Sequence, residues 1–197
     1  MKPAKSLKRK EGLNMAKVYA MIANGTEEVE CLAVVDLLRR SGVETVLVSV
    51  EEDCEIISSH KVRITADAVL ADTDLSDGDV IFLPGGMPGA ERLSACGPLL
   101  EALEQADREG RRIAAICAAP GVVLGRHGLL KGRTATCFPG FEKEFGDGRY
   151  THQGVVTDGN LTTARGLGFA VDLGLELVEL LLGSEAAEET RRRIQYR

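Results

Sequence analysis

The stretch Arg112–Pro120, with the sequence RIAAICAAP, joins a short apolar run to a proline that follows a cysteine by three residues. The run Arg112–Cys117 is typical of a buried strand, because it is short, mostly apolar and free of glycine and proline. Pro120 favours the first turn of a helix, where a missing N–H costs no hydrogen bond, so we predict a helix over Ala118–Arg126. Cys117 is therefore predicted to lie at a tight junction between a strand and a helix.

Outward from this junction, predicted strands and helices alternate along the chain. Further strands are predicted at Ala16–Ala23, Glu44–Val50 and Val80–Leu83, with a hairpin or edge excursion at Ile56–Ile64 and a hairpin formed by Gly154–Asp158 and Leu161–Ala164. Amphipathic or apolar helices are predicted at Glu28–Ser41, Pro98–Glu109 and Phe169–Leu182. Helices between buried strands imply a mostly parallel sheet covered on both faces. Right-handed crossovers then give an α/β, flavodoxin-like doubly wound sandwich.

The length of 197 residues fits one main domain, which we assign to residues 15–184. Residues 1–14 are Lys-rich and lack the apolar core of a signal peptide. Because Met15 begins the first strand pattern, we predict that these residues are a disordered or misannotated N-terminal extension. Residues 185–197 are predicted to form a charged, helical C-terminal tail.

Composition and charge exclude several classes of protein. The net charge is −6, and the one basic cluster is at the N-terminus, which argues against a nucleic-acid partner. No apolar run approaches the roughly 20 residues of a membrane span. The chain has five cysteines, no CxxC pair and three histidines, a set that disfavours a zinc site. An odd number of cysteines is typical of reduced thiols, and we expect a cytoplasmic protein.

Three unusual segments follow predicted strands, at Asn24–Glu30, Pro84–Gly86 and Ile116–Pro120. In parallel α/β sheets, ligands bind outside the carboxyl ends of the strands. These segments are therefore expected to meet at one site, although they are far apart in sequence.

The residue types in these segments point to thiol chemistry. The helix N-terminus after Cys117 would stabilise a thiolate and lower the pKa of the thiol, whereas the alternative is an inert core cysteine. Glu30 lies among apolar helix positions, where partial desolvation would let it hold a proton near neutral pH and act as a general acid or base. Glu27 and Glu28 fit helix capping, which is also the alternative for Glu30.

The glycines after the central strand suggest a site for an oxyanion. Gly85 and Gly86 leave backbone N–H groups free to face a ligand oxygen, and two such groups beside a nucleophile form an oxyanion hole. A simple tight turn is the alternative for this pair.

Four motifs, in this order along the chain, resemble the ThiJ/PfpI superfamily: Glu27–Glu30 (EEVE), Leu83–Gly86 (LPGG), Ala115–Pro120 (AICAAP) and Arg165–Gly168 (RGLG). The chain looks closest to the branch of the parkinsonism-associated deglycase and bacterial ThiJ-like proteins. The likeness extends from Met15 to about Gly183.

The resemblance implies a flavodoxin-like fold, a homodimer and a site that needs no cofactor. It also assigns roles to particular residues of this chain. The reactive cysteine matches Cys117, its partner carboxylate matches Glu30, and the backbone oxyanion donors match Gly86 and Ala118, with Gly85 shaping the turn.

Two departures from the family pattern narrow the expected chemistry. The peptidase branch has a histidine directly after the cysteine, where this chain has Ala118, and the human-type branch has a histidine at the position of Phe138. His60, His127 and His152 lie elsewhere and are expected to be surface or loop residues. No Cys–His dyad is predicted, which disfavours a peptidase. The partner set of a glutamine amidotransferase is missing as well.

The remaining hypothesis is a cofactor-independent glyoxalase or deglycase that acts on α-oxoaldehydes or their glycation adducts in carbonyl-stress defence. The alternative is a redox-sensing stress protein or chaperone that uses an oxidisable Cys117. A thiamine-related role, which older family names suggest, is a weaker alternative. Arg165 is a candidate for binding an anionic substrate group, and a surface salt bridge is the competing interpretation.

Overall fold

A computed structural model describes residues 15–197, with strands and helices alternating along the chain. The strands are β1 Lys17–Ile22, β2 Glu44–Ser49, β3 Glu55–Ile57, β4 Arg63–Thr65, β5 Ala68–Val69, β6 Val80–Leu83, β7 Arg112–Ile116, β8 Thr134–Ala135, β9 Arg149–Tyr150, β10 Val155–Asp158 and β11 Leu161–Ala164. The α-helices are α1 Glu28–Arg40, α2 Gly89–Ser94, α3 Gly97–Glu109, α4 Ala170–Leu182 and α5 Ser184–Arg193. The segment 1–14 lies outside the described residues.

The main sheet has seven strands in the order β10-β11-β7-β6-β1-β2-β5. All neighbours are parallel except β10 and β11, which form an antiparallel hairpin. The chain starts in the middle of the sheet at β1, winds outward through β2, and then crosses to β6 and β7. This order is the one expected of a flavodoxin-like doubly wound fold, so the predicted fold class is confirmed.

Two apolar layers cover the two faces of this sheet. On one face, buried side chains of α1 and α4 pack against β1 and β6. On the other face, buried side chains of α3 and of the segment after β7 pack against β6 and β7. The central strand β6 is buried at all four positions, which explains why its sequence shows an apolar run without alternation.

The helix predicted over Ala118–Arg126 differs from an ordinary α-helix. Its regular part, Pro120–Gly125, is a widened π-type helix, in which the Arg126 N–H bonds to the Gly121 carbonyl five residues earlier. Gly121 and Gly125 lie directly against the backbone around Phe141 and Glu144. Their missing side chains permit this close approach, and glycine also weakens the preference for a regular α-helix.

Two peripheral segments are also ordered against the sheet. The predicted excursion near Ile56–Ile64 is the antiparallel hairpin β3–β4, which lies outside the main sheet. The C-terminal segment contains α5, whose Thr190 is buried with its hydroxyl 2.8 Å from that of Ser41 at the end of α1. Within residues 15–197, no helix is long and apolar enough to cross a membrane.

Candidate functional site

The site forms where the carboxyl ends of β1, β6 and β7, three adjacent strands, meet at one edge of the sheet. The turn after β6 is anchored to the start of α1, because the Glu27 N–H donates to the Gly85 carbonyl over 2.9 Å. The Gly85 N–H in turn donates to Oε2 of Glu30 over 3.2 Å. The structure thus brings together the three segments that the sequence analysis singled out.

Cys117 occupies a strained elbow directly after β7. Its φ is +64°, a left-handed value that is uncommon for a residue with a side chain. Hydrogen bonds hold both sides of the residue, since the Cys117 N–H donates to the Ala164 carbonyl of β11 over 3.0 Å and its own carbonyl accepts from the Phe138 N–H over 2.8 Å. This geometry projects the thiol from the sheet edge, as the sequence predicted.

Two backbone donors and one carboxyl group surround the sulfur. The N–H groups of Gly86 and Ala118 act to lower the pKa of the Cys117 thiol, whereas the Glu30 side chain acts to raise it. The predicted oxyanion donors and the predicted partner carboxyl therefore all lie close enough to Cys117 to act on its ionisation. The donors face the position where negative charge on sulfur, or on an oxygen bound next to it, would develop.

Glu30 is the most buried carboxyl group at the site, with 1 % of its surface exposed. Burial raises its pKa to about 7, while the hydrogen bond with Cys117 and the N–H groups of Gly85 and Leu167 act against this shift. The neighbouring carboxylate of Glu27 adds to the increase. Glu30 therefore exists in both protonation states near neutral pH, as expected from its apolar position.

The expectation of a lowered pKa for the Cys117 thiol is wrong. Burial, the charge of Glu30 and the hydrogen bond to Glu30 raise this pKa, and the N–H groups of Ala118 and Gly86 only partly offset them. The helix N-terminus is thus outweighed by a carboxylate in direct contact. A negative charge on Glu30 disfavours the thiolate, which is therefore favoured when Glu30 carries the proton.

Gly85 and Gly86 are required by close packing. A Cβ atom on Gly85 would lie 2.5 Å from Oε2 of Glu30 and 2.6 Å from Cβ of Cys117. Gly86 has a φ of +90°, and a Cβ there would collide with the backbone of Glu27. The tight turn is therefore required by packing, and its Gly85 N–H is used to bond Glu30 rather than left free for a ligand.

The other acids of the EEVE motif cap the helix and lie beside a histidine. Glu27 accepts the Glu30 N–H at the start of α1 over 2.6 Å, as the capping interpretation predicted. Glu27, Glu28 and His60 place their potential ligand atoms within 4.8 Å of one another. These three side chains could hold a divalent cation, but Cys117 and Glu30 are not among them.

The three histidines are exposed, and each has a partner other than Cys117. His60 lies 3.3 Å from Glu28, His127 bonds to Ser94 and His152 bonds to Tyr150. The side chain at position 138 is a phenylalanine with 49 % of its surface exposed. Among residues 15–197, no histidine forms a hydrogen bond with the Cys117 thiol.

Arg165 directly follows β11 and is half-buried. Its guanidinium acts electrostatically on Cys137, and no hydrogen bond joins it to Cys117 or Glu30 in the described part of the chain. Its predicted contact with an anionic substrate group remains a prediction.

Sequence reasoning missed two backbone contributions to the site. The Leu167 N–H donates to Glu30, and the Phe138 N–H fixes the Cys117 carbonyl. The RGLG motif around Leu167 was a usable signal, whereas a backbone contact from position 138 leaves no mark in residue type.

Comparison with known proteins gives this geometry a context. The pattern of the DJ-1/PfpI family matches residues 16–180. The chain belongs to the DJ-1/PfpI family. It is 41 % identical over 174 residues to protein DJ-1 homolog B of Arabidopsis thaliana, covering 88 % of this chain and 40 % of that protein. It is 35 % identical to the Parkinson disease protein 7 homolog of Danio rerio, covering 89 % and 94 % of the two chains.

Two further members of the DJ-1/PfpI family bear on fold and chemistry. The structure of oxidized Toxoplasma gondii DJ-1 superposes with a TM-score of 0.88 at 36 % identity, covering 92 % of this chain and 98 % of that one. A glutathione-independent glyoxalase of Caenorhabditis elegans is 33 % identical over 161 residues, covering 81 % of this chain and 84 % of that enzyme. The chain spans less than half the length of the two Arabidopsis relatives that it matches.

Proposed function

We propose that this protein is a cytoplasmic, cofactor-independent glyoxalase that converts 2-oxoaldehydes to 2-hydroxy acids, with related activity on glycation adducts. The observation that carries the proposal is the contact between Cys117 and a buried Glu30 whose pKa is raised to about 7. Such a carboxyl group can accept and return a proton at neutral pH. The likeness to a glutathione-independent glyoxalase supports the same reaction class.

The first step adds the thiol to the aldehyde. Glu30 takes the proton of Cys117 as the sulfur attacks the aldehyde carbon, so that a C–S bond forms and the carbonyl electrons move to oxygen. The Gly86 and Ala118 N–H groups, which act on the Cys117 thiol in the free protein, are the donors that would stabilise this oxyanion. The oxyanion then takes a proton and gives a hemithioacetal.

The second step moves a hydrogen between adjacent carbons. Glu30, after losing its proton to the oxyanion, removes the C–H proton of the hemithioacetal carbon, and the electron pair shifts onto the neighbouring carbonyl as an enediolate. The hydroxyl proton of the first carbon then passes to the oxygen of the second. Return of the proton to that second carbon gives a thioester of the 2-hydroxy acid, with no net oxidation. Water then hydrolyses the thioester, which releases the hydroxy acid and restores the thiol.

The test is conversion of methylglyoxal to lactate by the purified protein without glutathione. We expect turnover in the wild type and a loss of about 10²-fold or more in Cys117→Ala and Glu30→Gln, because each removes a group that the reaction needs. Cys96→Ala is a matched control, since Cys96 is a half-buried thiol on the opposite packing layer. Unchanged turnover in Cys117→Ala would exclude this mechanism.

A second function is supported by the donors around the sulfur. The same N–H groups and a protonated Glu30 would stabilise an oxidised, negatively charged Cys117, as a redox-sensing stress protein or chaperone requires. Mass spectrometry after mild peroxide treatment tests this candidate. Selective oxidation of Cys117 together with negligible aldehyde turnover would favour the sensor over the enzyme.

We also propose that the protein forms a homodimer. Val29 and Leu32 on α1, and Ile57 and Val62 on the adjacent hairpin, are exposed apolar side chains, and a second copy would remove them from water. Sedimentation should give twice the monomer mass, and Val62→Arg should shift the protein toward monomer. A monomeric wild type at micromolar concentration would contradict the proposal.

A further inference from the structure

Apolar side chains near the catalytic pair are exposed. Phe138 and Leu167 have 49 % and 50 % of their surfaces exposed, and Met87, which follows Gly86, is also exposed. The backbone N–H groups of Phe138 and Leu167 bond to the Cys117 carbonyl and to Glu30, respectively. The residues that carry the Phe138 and Leu167 side chains are therefore next to Cys117 and Glu30 in space, although these side chains take no part in the chemistry.

The Phe138 ring and Glu30 both lie close to Gly166. A Cβ atom built on Gly166 would lie 3.3 Å from Cδ2 of Phe138 and 4.0 Å from Oε1 of Glu30. The ring and the carboxyl group thus both lie next to the position where a side chain of residue 166 would begin.

Large apolar side chains that remain exposed beside a reactive centre gain free energy when an apolar group of a ligand covers them. A methyl substituent is too small to cover much of a phenylalanine ring, whereas a phenyl or branched alkyl group can stack on it.

We propose that the Cys117 site takes 2-oxoaldehydes that carry an aromatic or large apolar substituent, and that Phe138 determines this preference. The inference rests on the proposed glyoxalase function and names its substrate class. Phe138 acts here on substrate binding, while Cys117 and Glu30 perform the reaction.

The test compares kcat/KM for phenylglyoxal, methylglyoxal and glyoxal. We expect the wild type to prefer phenylglyoxal to glyoxal, and Phe138→Ala to lower this preference by about tenfold, the scale of a lost apolar contact in a pocket. Phe138→Tyr should retain the preference, because the ring is kept. Leu182→Ala is the matched control, since Leu182 is 41 % exposed at the end of α4.

A second variant tests the space next to Gly166. Gly166→Ala places a methyl group 3.3 Å from Cδ2 of Phe138 and 4.0 Å from Oε1 of Glu30. The exposed Phe138 ring has to shift slightly to admit it, so the fold should be kept. We expect it to lower kcat/KM for phenylglyoxal more than that for glyoxal. An equal effect on both aldehydes, or a phenylglyoxal preference that Phe138→Ala leaves unchanged, would overturn the proposal.

Alkylation of Cys117 separates this inference from the proposed reaction. Phenacyl bromide and iodoacetamide each form a C–S bond with the sulfur as halide leaves, and neither needs Glu30 chemistry on an aldehyde. Faster alkylation by phenacyl bromide in the wild type, lost in Phe138→Ala, would support the apolar subsite even if no aldehyde is turned over. Equal ratios in the two proteins would refute it, whatever the turnover.

Discussion

Replacement of Glu30 by glutamine should make Cys117 more acidic while it abolishes turnover. The two groups share a hydrogen bond in a buried site, so their charges would be roughly 4 Å apart. At an effective dielectric constant of about 20, this separation corresponds to about 4 kcal/mol. The Glu30 charge therefore lowers the ionisation constant of the thiol by roughly a thousandfold. In Glu30→Gln that charge is gone, and an amide N–H can donate to the thiolate.

The assay is a titration of thiolate by its ultraviolet absorbance. The contribution of Cys117 is the difference between Glu30→Gln and Glu30→Gln/Cys117→Ala, and the wild type is compared with Cys117→Ala in the same way. We expect the ionisation constant of Cys117 to rise by at least about a hundredfold, while aldehyde turnover falls because no base remains. An ionisation constant that is unchanged or smaller in Glu30→Gln would refute the effect of the Glu30 charge on the thiol.

Three further predictions follow from the same geometry. The value of kcat/KM should fall as the pH drops below about 7, because protonation of Glu30 removes the base. A profile that stays flat from about pH 5 to about pH 8 would contradict that role. The Glu30 pKa lies above its ordinary value of 4.5, so the folded state holds more protons and loses about 3 kcal/mol of stability as pH rises from about 4.5 to 7. Urea unfolding should show that Glu30→Gln lacks this component, and an identical pH dependence in both proteins would count against it. Gly85→Ala should lose about 1–3 kcal/mol of stability and most activity, since its Cβ would collide with Glu30 and Cys117, whereas Gly97→Ala meets nothing within 4 Å and should be neutral.

Sequence patterns were sufficient for the architecture and for the three segments that meet at the sheet edge. Buried parallel strands have continuous apolar runs such as Val80–Leu83, and the turns after them carry the glycines and the cysteine that meet at the sheet edge. Short elements were missed because two- and three-residue strands such as β5 and β8 have no periodicity to detect.

The electrostatics of the site could not be predicted in the same way. The direction of the Cys117 pKa depends on whether a carboxyl group touches the sulfur and how far both are buried. A helix N-terminus is visible in sequence, but the contact between residues 30 and 117 is a tertiary property. The widened helix after Cys117 is similar, since it accompanies the packing of Gly121 and Gly125 against a distant turn.

The backbone of Cys117 is bonded on one side to β11 and on the other to residue 138. These two bonds restrain the left-handed conformation of Cys117 from both sides. The register between β7 and β11 thus determines where the sulfur of Cys117 lies along the sheet edge. Mutations in the β10–β11 hairpin that shift this register should displace the nucleophile, although none of those side chains touches a substrate.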